Sequence, residues 1–146
     1  MTTNLFALLL AATAGVAMAV QGSINSVLGK VVGRMEATLI VHVLATIVVG
    51  LILLFRFGNG DFSKIPEAPW YVYLGGLINV LIIYGVIAAI PRVGVAPATT
   101  AIIVGQVSTA LLIDHFGMFG LERICFSWWK GAGLVLLAIG TKLMLN

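Results

Sequence analysis

Apolar runs of about 20 residues recur along this chain, and that is the length a helix needs to cross the hydrocarbon core of a bilayer. Five such runs are predicted, at 5–28, 37–55, 70–90, 96–113 and 128–145. The segment GNGDFSKIPEAP, at 58–69, is the clearest loop between them, with glycine, proline and charged residues that no lipid-facing helix would carry. Pro91 and Arg92 are expected to break the third run, and the fourth opens near Pro97, a tolerated first-turn position. The stretch HFGMFGLERICFS, at 115–127, reads as a surface connection to the last run. Trp70, Tyr71, Trp128 and Trp129 stand at run starts, where amphipathic rings favour the lipid–water boundary.

Composition closes off the other classes. Hydrophobic residues make up 61% of the chain and charged residues 9%, against about 25% charged in soluble domains. Neither a water-facing globule nor a disordered chain is compatible with that balance. The single cysteine, Cys125, excludes an internal disulfide framework and a cysteine-based metal site. The net charge of +3 comes from scattered cations rather than a stripe, so a nucleic-acid partner is not expected. Ala17, Met18 and Ala19 imitate a signal-peptidase site, but no Lys or Arg precedes them and the apolar run continues beyond, so no cleavage is expected.

Five spans put the two termini on opposite faces of the membrane. Alternate loops then give Lys30, Arg34, Arg92 and Lys142 to one face and Arg56, Lys64, Arg123 and Lys130 to the other, four against four. Orientation follows the difference in Lys and Arg between faces, so a chain without a difference is expected to insert both ways up. Chance balance with a partner fixing the orientation is the plainer alternative. The fold class expected is an all-α membrane protein: one transmembrane domain over residues 1–146, a five-helix bundle that pairs as an antiparallel, inverted homodimer of ten helices. That symmetry belongs to inverted-repeat transporters, whose substrate sites lie near the membrane midplane.

Polar side chains inside a span are costly unless they meet partners or water, which makes them the informative positions. Gln21 and Asn25 are four residues apart in the first span, and Thr38, His42 and Thr46 repeat that spacing in the second. Asn79 and Tyr84 lie in the third span, and Thr99, Gln106 and Thr109 in the fourth. Gln21, Asn25, Asn79, Tyr84, Thr99 and Gln106 are the expected substrate contacts, their amides and hydroxyls lining a shared polar cavity; the plain alternative is that they join helix to helix. His42 and Asp114 are candidates for proton coupling, although Asp114 and His115, being adjacent, point about 100 degrees apart and suit an end-capping role better. No acid falls at a predicted midplane, which disfavours an antiport in which a buried carboxylate exchanges protons for cations. In the last span Gly133, Leu137 and Gly140 share one face and are the expected dimer contact, whereas Gly29 and Gly33, beside Lys30 and Arg34, read as a turn.

The stretches AVQGSINSVLGKVVGRMEA, IPRVGVAPATTAIIVGQVSTALLIDHFGMFG and GAGLVLLAIG resemble the YdcZ-type family of the drug/metabolite transporter superfamily, over nearly the whole chain. The resemblance implies a five-helix unit similar to one half of the ten-helix EamA-type exporters. The last two spans are similar to those of small multidrug resistance proteins, in which heptad-spaced glycines serve dimer packing; Gly133 and Gly140 match them. The first-helix glutamate that carries substrate and proton in those proteins has no counterpart here, and Gln21 is the nearest polar replacement.

The expected function is alternating-access transport of a small polar or amphipathic metabolite or drug across a bacterial-type inner membrane, without a cofactor. A passive dual-topology channel and a non-transporting subunit of a membrane complex are the alternatives. The lipid bilayer, a second copy of the chain and a small-molecule substrate are the partners expected. Enzyme activity is not, for want of a metal cluster, a phosphate-cradling motif or a nucleophile with its base.

Overall fold

The computed structural model describes residues 4–55 and 57–145; Arg56, one of the eight cations weighed above, lies outside the described residues. The fold is all-α. Its helices are α1 (Leu5–Val32), α2 (Arg34–Leu54), α3 (Leu74–Val93), α4 (Val95–Phe116) and α5 (Trp128–Met144), with short 3-10 segments at Phe62–Glu67, Trp70–Tyr73 and Met118–Gly120. Among the described residues four segments are long and apolar enough to cross a membrane: Leu5–Val32, Arg34–Leu54, Trp70–Val93 and Val95–Phe116. The fifth helix has 17 residues, a rise of about 26 Å at 1.5 Å per residue.

Helix is the only local solution for these runs, because lipid offers no hydrogen bonds and each backbone N–H and C=O must be satisfied within the segment. Boundaries follow from caps. Asn4 accepts the N–H of Ala7 at 3.3 Å to open α1, and Ser127 accepts that of Lys130 at 3.4 Å to open α5. α4 stops at Gly117, whose left-handed φ of 61° and ψ of 40° end the helical ladder.

The connections are tighter than the sequence suggests. α1 and α2 are separated by Gly33 alone, and α3 and α4 by Gly94 alone, at φ of 101° and 90°. A side chain is strained at such angles, so glycine allows one helix to end and the next to begin across a single residue. Helix therefore runs through Lys30, Arg34 and Glu36, which the apolar count had left between spans. Pro91 does not break the third helix either; α3 continues to Val93. It sits in the last turn, where the missing N–H removes a single ladder bond and no further turns depend on it. Within the polar loop, Asp61 caps the turn Phe62–Glu67, and hydrogen bonding from the Ser63 side chain and backbone N–H holds its carboxyl below the usual carboxylate range.

The chain forms two compact units, residues 1–91 and 92–146. In the first, the core is Ala37, Ile83 and Ile87, with Leu28 and Val41 packed against it. α1 turns small residues toward α3: a Cβ added to Gly22 would lie 3.0 Å from Val86 Cγ1, and one added to Gly29 would lie 2.4 Å from Ile87 Cγ2. Gly29 is thus a packing residue and not the turn expected from its place beside Gly33. In the second unit α4 packs on α5, and Thr100 donates to the sulfur of Met144 at 3.0 Å. The connection folds back on the end of α4: Ile124 N–H donates to the Asp114 carbonyl at 2.8 Å and Arg123 Nε to the His115 carbonyl at 2.9 Å.

Replacing Gly29 by Ala is expected to destabilise the protein by about 1–3 kcal/mol, because the neighbouring methyl belongs to a β-branched side chain that cannot swing aside. Thermal unfolding in detergent checks this: the loss should be relieved in the Gly29→Ala, Ile87→Ala double variant relative to Ile87→Ala alone. Gly15→Ala, which meets nothing within 4 Å, should leave stability unchanged.

Candidate functional site

In the first unit a polar stripe lies along α2. Its hydroxyls and imidazole run down one face, each bonded to the carbonyl four residues earlier: Thr38 Oγ1 to Arg34 at 2.8 Å, His42 Nδ1 to Thr38 at 2.7 Å and Thr46 Oγ1 to His42 at 2.8 Å. A carbonyl only accepts, so His42 Nδ1 carries a proton. In the neutral ring Nε2 is then an acceptor, and Asn79 Nδ2 of α3 lies 3.0 Å from it in position to donate.

This pairing is a helix-to-helix bridge. His42 is half-buried, whereas Asn79 is exposed. The sequence named both residues but assigned them separately, His42 to coupling and Asn79 to substrate. The structure joins them.

Asn25 differs from every other amide. It is only 5% exposed, and its Nδ2 has no hydrogen-bond partner among the described residues. A buried donor left without an acceptor costs about 1–3 kcal/mol. Gln21, four residues earlier, is exposed, so the two do not share an environment despite the shared stripe. Tyr84 and Gln106 are exposed and Thr99 is half-buried. None of these four side chains is hydrogen-bonded to the described residues.

Asp114 and His115 lie at the end of α4, both half-buried. The Asp114 carbonyl receives the returning chain, and His115 Nδ1 accepts the Phe126 N–H at 3.3 Å. His115 therefore carries its neutral-ring proton on Nε2, the opposite tautomer to His42. In α5, Leu137 and Gly140 are half-buried and Gly133 is exposed, with nothing within 4 Å of a Cβ added to either glycine. Sequence reasoning missed Gly22 and Ser26, two further buried residues of α1; the spacing of small residues at 22, 26 and 29 was the available signal.

Residues 6–143 match the family model DMT_YdcZ, described as "Putative inner membrane exporter, YdcZ". The chain belongs to this family. Its four apolar helices and its membership of the YdcZ exporters make it a multi-pass membrane protein of a transporter family, not of an enzyme family. No curated protein and no solved structure matches the chain.

The two histidines give the bridge a direct check. Nitrogen-15 NMR of the neutral protein should show His42 protonated on Nδ1 and His115 on Nε2. Asn79→Leu should shift His42 Nε2 while leaving Nδ1 in place, and cost about 0.6 kcal/mol of stability, the average for a polar contact between membrane helices. Matching tautomers in the two rings would contradict the hydrogen-bond pattern described.

Proposed function

We propose that this YdcZ-family protein exports a small polar or amphipathic solute by alternating access, as an antiparallel homodimer of dual-topology chains. The observation that carries the reading is Asn25, a buried amide with an unused donor on a membrane-length helix. A polar group so placed is costly in the empty protein, and a solute that accepts its hydrogen bond recovers that cost on binding. Gln21, Asn79, Tyr84, Thr99 and Gln106 are the further solute contacts in this reading. Their side chains, Asn79 apart, have no partner among the described residues and are available to line a shared chamber.

In the proposed assembly α5 is the fifth span. Two inverted copies supply ten helices related by a two-fold axis in the membrane plane, the arrangement of inverted-repeat transporters. The face carrying Gly133, Leu137 and Gly140 packs against the second copy, which is consistent with the open space beside both glycines. The balance of four cations against four is the support for inverted insertion. In the same reading His42 and Asn79 form the coupling element, because a proton on the ring would require the amide to turn. Asp114, whose backbone receives the α4–α5 connection, is left at the rim.

Vesicles loaded with a mixture of polar metabolites, followed by mass spectrometry of the outside medium, test the activity. A transporter releases a restricted set of solutes with saturation and countertransport; unsaturable release of everything below a size limit would mark a pore. Asn25→Leu and Gln106→Leu are expected to lower transport about tenfold or more while the protein still inserts, the scale of one lost hydrogen bond to a buried polar group. Charge supplies the test of pairing. Lys64→Gln with Lys130→Gln leaves four cations on one face against two, which should fix a single orientation and abolish transport. Co-expression with the oppositely biased Lys30→Gln, Lys142→Gln chain should restore it.

A further inference from the structure

At the α1–α2 junction the chain encloses a second polar feature, which plays no part in the transport reading. A cavity of about 130 Å³ is lined by Ser26, Gly29, Lys30, Arg34, Ile87 and Pro91. It is several times the roughly 30 Å³ that one water occupies in the liquid. The lining joins two cations, a hydroxyl and the first turn of a helix.

Three observations give this cavity a sign. Lys30 and Arg34 form no ion pair among the described residues. α2 begins at Arg34 behind Gly33, which offers no side chain to cap the helix, so the free N–H groups of the first turn keep their positive end. The third is Ser26, 3% exposed and without a hydrogen bond to the described residues. Elsewhere the helical hydroxyls of Ser23, Thr38, Thr46, Thr100, Ser108 and Thr141 each return to the carbonyl four residues back. Ser26 does not, and its side chain borders the cavity instead.

An unpartnered hydroxyl on a buried residue, two cations without an ion pair among the described residues and a helix N-terminus without a side-chain cap are the features an anion site needs. The acidic neighbour is Glu36, in the first turn of α2, whose carboxylate lies against Gly33, with Oε2 2.2 Å from where a Cβ on that glycine would stand. It is not part of the cavity lining and leaves a net positive charge at the cavity mouth. α1 rises about 42 Å over its 28 residues, longer than the roughly 30 Å hydrocarbon core, which sets its Lys30 end at headgroup depth.

We propose that Ser26, Lys30, Arg34 and the N-terminus of α2 bind a phosphate-type anion at the membrane boundary. The monoanionic or dianionic oxygens would accept from the Ser26 hydroxyl, the Lys30 ammonium, the Arg34 guanidinium and the first-turn N–H groups. A phospholipid headgroup and a soluble phosphate present the same chemistry, and the experiment separates them.

The full-length protein is placed in nanodiscs, where both faces meet solution and orientation does not matter. One arm titrates inorganic phosphate into phosphatidylcholine discs; the other replaces part of the phosphatidylcholine with phosphatidylglycerol. Thermal stability and the phosphorus-31 line width report binding. Stabilisation by inorganic phosphate in neutral discs identifies a soluble anion, and stabilisation by phosphatidylglycerol alone identifies a lipid headgroup; either supports the site. The Lys30→Gln, Arg34→Gln variant should weaken the effect by about tenfold or more and Ser26→Ala by several-fold, the fold-changes of losing charge-assisted and neutral hydrogen bonds. Lys142→Gln, a cation at another helix end, should leave it unchanged. The site is overturned if neither anion stabilises the protein, or if Lys142→Gln weakens binding as much as the Lys30, Arg34 pair does. Ser26→Ala changes little volume, so its own stability without anion should match the parent and separate a binding defect from a folding one.

Discussion

A peptide group has nowhere to put its hydrogen bonds in hydrocarbon, and this constraint shapes the protein before any side chain does. It forces each apolar run into helix and allows breaks of a single residue between helices where glycine accepts a positive φ, at Gly33 and Gly94. It also explains the behaviour of the hydroxyls. Thr38, Thr100 and Thr141 fold back onto the carbonyl one turn earlier, satisfying themselves within their own helices. Other polar side chains do not. Ser26 faces a cavity, Asn25 holds a donor with no acceptor, and Asn79 reaches His42 on another helix.

Side-chain burial contributes little by comparison. The buried hydrophobic residues are Ala37, Ile83, Ile87, Ile90 and Ala98, two of them alanines, while Trp128 and Trp129 are almost wholly exposed. A single chain of such composition leaves its apolar surface for lipid or for another helix surface. Close approach therefore replaces a large core: Gly29 admits Ile87, the most deeply buried large side chain, to within contact of the α1 backbone. In the proposed pair, the glycine face of α5 serves the same purpose between copies.

Most of the architecture was legible because hydropathy over 20 residues is a strong signal and helix is its one solution. All five helices begin or end within a few residues of the apolar runs that predicted them. The helix ends are less legible, because a polar residue at a helix end reads as loop. Lys30, Arg34 and Glu36 are helical, since a long side chain at a helix end reaches water without the backbone unwinding. Pro91 suggests a break, but in the final turn of α3 its missing N–H leaves the helix intact. The His42–Asn79 bridge was not legible as a pair: its residues are 37 apart in sequence, and only the packing of α3 beside α2 sets them level. Gly22 and Ser26 are marked in the sequence only by small-residue spacing, a signal common to many membrane helices.

The family assignment and the helices agree on a membrane transporter, and the claim on which the proposed mechanism turns is that identical chains lie both ways up. Cys125, the single cysteine, is exposed on the α4–α5 connection and reports orientation without any tag. In sealed vesicles a membrane-impermeant thiol reagent added from one side should label roughly half of the molecules, with the rest reacting only after the membrane is opened, because balanced cations set no preferred face. Labelling of all the protein from one side and none from the other would mean a uniform orientation, and would contradict the antiparallel homodimer.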